Sequence, residues 1–208
     1  MTSISTDRVW TGKGAATTWG LIAFLSLGIA IYSYRYLAPH IPLLPPDIAK
    51  NAMRHPWLVL HAGFAATALL VGPFQFIARL RAAVPRLHRW MGRIYVFACL
   101  VAGFAGLPLA FGSDAGPIAT VGFALLAVIW IYCTAQALRM AMTGRYVEHR
   151  RWMIRSFALT FAAVTLRLQL PIAPIMGYPF LYGYRAAAWL AWVPNLLVAE
   201  LYLQRGKA

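Results

Sequence analysis

Six long apolar runs, at residues 17–36, 56–78, 90–111, 118–139, 152–171 and 186–204, dominate the hydrophobic pattern, and charged or Pro/Gly-rich segments separate them. Each run is near the twenty or so residues that cross about 30 Å of hydrocarbon at a rise of about 1.5 Å per residue. A lone apolar segment in lipid has to satisfy its own backbone hydrogen bonds, so the runs predict helices. The period-two alternation of barrel strands is absent. The pattern predicts an all-α, polytopic transmembrane helical bundle of about six spans, forming one integral membrane domain over residues 1–208. Met1–Gly14, followed by the apolar Trp19–Ile31, has the outline of a secretory signal. No small-residue cleavage site precedes Tyr32-Ser33-Tyr34-Arg35, so the first run is expected to stay as an anchor.

Composition removes the soluble alternative. The 208 residues are 61% hydrophobic and 12% charged, against roughly half and a quarter in soluble domains. Charge then orients the spans. Fourteen of the nineteen Lys and Arg residues gather on one side: Arg8 and Lys13, then Arg79 to Arg93, then Arg139 to Arg155, then Arg205 and Lys207. Arg35, Lys50, Arg54 and Arg185 fall on the other side, and Arg167 lies inside the fifth run. The positive-inside rule places the richer side, and with it both termini, in the cytoplasm. The net charge of +14 reads as a topology signal and as attraction to anionic lipid head groups, not as a nucleic-acid surface.

Little conventional chemistry is present. Cys99 and Cys133 both lie inside apolar runs, which excludes a structural disulfide or zinc knuckle. There is no Gly-rich phosphate loop, no His-Glu-x-x-His and no nucleophile elbow. Only five residues are acidic, and of these only Glu200 falls in a run, where Arg205 is its expected partner; a carboxylate relay for coupled transport is poorly supplied. Inverted repeats with broken helices are not evident. Pro73, Pro108 and Pro194 are expected to kink their helices. Gln75, Gln136 and Asn195 are the remaining polar groups singled out within the runs.

Two polar constellations remain. The third and fifth runs are entered by similar segments, Leu87-His88-Arg89-Trp90-Met91-Gly92-Arg93 and Glu148-His149-Arg150-Arg151-Trp152-Met153-Ile154-Arg155. Interfacial anchoring accounts for Trp and Arg there, but not for a histidine at the same depth twice. On the other side, His61 lies about 5 residues inside the second run, with Arg167 and Gln169 at similar depth in the fifth. Ionisable groups at such depth are functional suspects. The plain alternative is one interhelical hydrogen bond from His61 and snorkelling of Arg167 to the surface. The functional alternative is a polar pocket open to the outside, for a quinone head, a metal or a small anion.

His61 with Gly72-Pro73-Phe74-Gln75-Phe76, the run Leu87 to Tyr95, and His149 to Ser156 continuing to Arg167 resemble a family of predicted bacterial membrane proteins, the domain of unknown function 2306, over roughly residues 55–170. The resemblance implies a multi-pass protein of the bacterial inner membrane. Leu87-His88-Arg89-Trp90-Met91-Gly92 is also similar to the His-x-Trp-hydrophobic-Gly element of the transmembrane cytochromes b that reduce ferric iron or exchange electrons with ascorbate or quinones. That similarity implies haem b held by His88 and His149 near the cytoplasmic side, with Arg89, Arg93, Arg150, Arg151 and Arg155 on its propionates. The implied function is electron transfer with a quinone or a partner protein. A haem-free accessory or assembly subunit, and a small-solute carrier using His61, Arg167 and Gln169, are the rival expectations.

Overall fold

The structure is a computed structural model and describes residues 13–38 and 54–205; Arg8, His40, Lys50 and Lys207 lie outside them. Six helical spans run through the described residues: α1 (Ala16–Leu37), α2 (Arg54–Phe76), α3 (Pro85–Phe111), α4 (Pro117–Met142), α5 (Tyr146–Ile175) and α6 (Phe180–Arg205), each long and apolar enough to cross a membrane. The chain is an all-α, six-span membrane bundle. The faces are called here the basic face, where α3 and α5 begin, and the opposite face, where they end.

α3 starts five residues and α5 six residues before the apolar pattern predicts. Pro85 has no N–H to leave unpaired and sits in the first turn of α3, where proline is favoured. The arginine stems of both segments lie along a helix while their guanidiniums stay in water, so the helix outlasts its hydrophobic stretch. At the opposite face α5 reaches Ile175 and α6 begins at Phe180. The expected connecting segment from Pro171 to Arg185 is therefore mostly helical.

α2, α3, α4 and α5 pack in sequence, α1 lies against α2, and α6 lays its first half on α4 and its second half on α5. Large apolar side chains such as Phe24, Phe104, Phe111 and Val128 are more than half exposed, which is the lipid-facing surface of such a bundle. Inside stand small residues, with Ala68, Ala98, Ala102, Ala137 and Ala191 essentially inaccessible. Small residues let helices approach closely where hydrophobicity alone does not drive association. Gly103 shows the limit: a Cβ there would stand 2.6 Å from Cγ1 of Ile131 on α4.

At mid-depth a buried polar cluster ties α3, α4 and α5. Thr160 donates to the Ser156 carbonyl (2.9 Å) and accepts from Trp130 Nε1 (3.0 Å). With its proton so used, it accepts from the Tyr95 hydroxyl (2.8 Å). Tyr95 in turn accepts from Ser156 (3.1 Å), which leaves Ser156 to accept from Thr134 (2.7 Å). Each of these four hydroxyls, of Tyr95, Thr134, Ser156 and Thr160, has a partner, as low dielectric demands.

Both α5 and α6 are interrupted, and of the two only the interruption in α6, at Pro194, was expected. α5 is divided at Phe161, between helical segments Tyr146–Thr160 and Ala162–Gln169, where Val164 N–H bonds to the Phe161 carbonyl three residues back. α6 is divided between Phe180–Leu190 and Val193–Arg205. The cause in α6 is chemical: Pro194 lacks the N–H that would meet the Leu190 carbonyl, and Gln169 Nε2 supplies one from α5 (3.1 Å). Asn195 Nδ2 then donates to the carbonyls of Ala191 (2.9 Å) and Ala158 (3.2 Å), and the Thr165 hydroxyl also reaches Ala191 O. The two breaks are stapled side by side.

Candidate site: an intramembrane cavity beside the helix breaks

Against these breaks, in the half of the bundle towards the opposite face, lies a cavity of about 220 Å³ to which all six spans contribute. Its walls are mostly alanine and leucine, and its polar lining includes Ser33, Tyr36, His61, Thr160, Tyr184 and Arg167. The size is informative, because a cavity of about 150 Å³ already accepts benzene. The space holds one substituted ring or a short chain.

His61 is fixed by α3. Its Nδ1 lies 2.9 Å from the Ala102 carbonyl, and a carbonyl only accepts, so Nδ1 carries the proton. A neutral ring then has its lone pair on Nε2. Gly106 makes room for the ring: a Cβ there would meet Nδ1 at 3.2 Å.

Arg167 Nη1 donates to the Ala163 carbonyl one turn back (2.9 Å). Among the described residues the only ion pairs are Arg145–Glu148 and Arg155–Glu200, so no described carboxylate neutralises Arg167. A guanidinium stays charged, and an arginine at mid-bilayer costs about 2.5–3.5 kcal/mol even on the lenient insertion scale. Arg35 stacks on the rings of Tyr32 and Tyr36, at 4.3 and 5.0 Å from their centroids, and donates to the Tyr36 hydroxyl (3.4 Å). Its buried Nε has no hydrogen-bond partner among the described residues.

The structure thus brings His61 and Arg167 to one cavity and leaves Gln169 outside its lining, occupied with the Leu190 carbonyl. Sequence reasoning read Arg35 as topology alone and did not single out Tyr36 or Thr160, neutral hydroxyls without pattern. The available signal was depth: all three fall within the half of the membrane that holds His61 and Arg167.

At the basic face, His149 Nδ1 meets the Ala137 carbonyl of α4 at 2.8 Å, which by the same reasoning leaves Nε2 for a ligand or a metal. His88 is half-buried in the first turns of α3, near enough to His149 for their charges to interact. Arg93 and Arg155 each stack on the tryptophan three residues before them, at 5.0 and 4.7 Å, so the repeated segments repeat in geometry too. Arg155 is held by Glu200 in two bonds (2.5 and 2.9 Å); Arg155, not Arg205, is the partner of Glu200. Arg150 reaches the Tyr202 hydroxyl (3.5 Å), and Arg89 is exposed. A second cavity, also of about 220 Å³, opens among Arg151, Arg155 and Glu200 and is lined by neither histidine. Among the described residues no group of three His, Cys, Asp or Glu side chains is placed to hold a metal ion.

A model of the family described as "Predicted membrane protein (DUF2306)" matches residues 58–203, so the likeness extends through α6. No curated protein and no solved structure matches the chain.

Proposed function

The chain belongs to the DUF2306 family of predicted membrane proteins, and we propose that it binds a small amphipathic molecule within the membrane, in the cavity beside the α5 and α6 breaks. The observation that carries this reading is the conjunction of a ring-sized apolar space with His61 and Arg167 in its lining. An acceptor on the ligand meets Arg167, a donor meets His61 Nε2, and the apolar body lies among the alanines. By the positive-inside rule the basic face and both termini are cytoplasmic, anionic lipid heads meet the arginines, and the cavity belongs to the outer half of a bacterial inner membrane. The site serves a carrier of small solutes or a protein exchanging electrons with a quinone. A calorimetric titration of purified protein with a short-chain benzoquinone and with small aromatic acids tests it. At least one class binds wild type, and His61→Ala weakens it about tenfold, as loss of a buried hydrogen bond of about 1.4 kcal/mol requires. No binding by any of them rejects the proposal.

One observation supports a second reading. The Nδ1–H bond from His149 to Ala137 holds an imidazole as axial ligands are held, and His88 begins α3 on the same face. If these histidines carry haem b, purified protein is red and shifts its Soret band with dithionite, and His88→Ala or His149→Ala abolishes the band. A colourless protein from haem-sufficient cells ends that reading and leaves the cavity untouched.

A further inference from the structure

We infer that the ligand of the cavity is an oxyanion, an amphiphile whose head is a carboxylate or phosphate, recognised by the Arg35–Tyr36–Arg167 group. The inference rests on the proposal that the cavity binds a small molecule and narrows it to one chemical class.

Arg167 and Tyr36 line the cavity, and Arg35, outside the lining, is tied to it by its bond to the Tyr36 hydroxyl at 3.4 Å. Arg167 lines the cavity and spends one N–H on its own helix. Arg35 has a buried Nε with no hydrogen-bond partner among the described residues. No carboxylate among the described residues pairs with either. Contrast Arg185, whose Nε is used by the Ala115 carbonyl at 2.7 Å, and Arg155, matched by Glu200 in two bonds. A neutral head satisfies hydrogen bonds but leaves the Arg167 charge unbalanced in low dielectric, where an uncompensated charge is costly. An anion balances that charge, and planar guanidinium matches two oxygens at once. Tyr36 strengthens the match: its hydroxyl accepts from Arg35 and so has its own proton for a ligand oxygen. The His61 Nε2 lone pair asks for a donor, so the best fit carries a hydroxyl beside the anionic group.

The test compares phenyllactate with its methyl ester, which keeps the ring and the hydroxyl and loses only the charge, and with phenyl phosphate. Isothermal titration is done on full-length protein in nanodiscs. The expected result is that phenyllactate or phenyl phosphate binds at least tenfold tighter than the ester, with the tighter of the two naming the head. Arg167→Gln and Arg35→Gln remove that preference, while binding of the ester persists. The acid-to-ester ratio in wild type needs no variant, so a poorly folding substitution does not block the result. Equal binding of acid and ester overturns the oxyanion and leaves the cavity reading standing. No binding of any probe, including the neutral quinone, removes both. Asp47 lies outside the described residues, and Asp47→Asn supplies a last control. If phenyllactate binds the variant at least tenfold tighter than wild type while the ester is unchanged, a carboxylate of the chain itself balances the arginines and the inference falls.

Discussion

Thr160 Oγ1 is one atom with four hydrogen-bond partners, Tyr95, Trp130, the Ser156 carbonyl and, at 3.9 Å, Cys99 Sγ, and it also borders the cavity. Replacing it orphans the Trp130 N–H and the Tyr95 hydroxyl together, whereas Tyr95→Phe orphans only the Ser156 proton. Single side-chain hydrogen bonds inside membrane bundles are worth about 0.6 kcal/mol and at most about 1.7. Thr160→Val, which keeps the shape, should therefore cost about two to three times what Tyr95→Phe costs in reversible unfolding by denaturing detergent. Equal costs would mean that the hydroxyls are not a connected group. The cluster also marks what was legible at this scale. His61 and Arg167 stand out because charge in an apolar run is expensive. Serine, threonine and tyrosine are cheap there, and nothing in their spacing marks Tyr95, Ser156 and Thr160 as partners.

At the scale of elements the six helices were readable, because 20-residue apolar runs have few other fates. Their ends were less so: hydropathy detects the lipid, not the helix, and arginine-rich turns such as Arg86–Arg93 remain helical outside it. The break in α6 was half visible, since Pro194 predicts a kink, but its repair by Gln169 from another helix is a tertiary fact. That repair has a measurable consequence. Pro194→Ala restores an N–H for the Leu190 carbonyl, after which the amide of Gln169 is redundant. Gln169→Leu should then cost about 0.6–1.7 kcal/mol in the natural background and close to nothing beside Pro194→Ala, a non-additivity that a double-mutant cycle reports. The same cost in both backgrounds would show that Gln169 does not serve the break. The break in α5 at Phe161 has no proline, and no sequence rule points to it. It is held from outside, by Asn195 on the Ala158 carbonyl and by Thr165 on Ala191.

For the whole molecule the distribution of charge decides which water phase the cavity lies nearer. Arg79, Arg81, Arg86, Arg89 and Arg93 stand at the face where α3 begins, and Arg139, Arg145, Arg150 and Arg151 where α4 ends and α5 begins, while His61 and Arg167 lie in the other half. A bundle inserted with its arginines inside thus offers the cavity to solutes outside, and the reverse insertion makes it a receptor for cytoplasmic molecules. Cysteine labelling separates these cases. Cys99 and Cys133 are both buried, and their replacement by alanine leaves a background without thiols. Tyr178 stands exposed between α5 and α6, and Gly144 stands exposed between α4 and α5. Tyr178→Cys should react with an impermeant maleimide added to intact cells, and Gly144→Cys only after the membrane is opened. The opposite result would invert the topology and place the cavity in the cytoplasmic half. The oxyanion would then come from inside the cell, although no contact within the bundle would have changed.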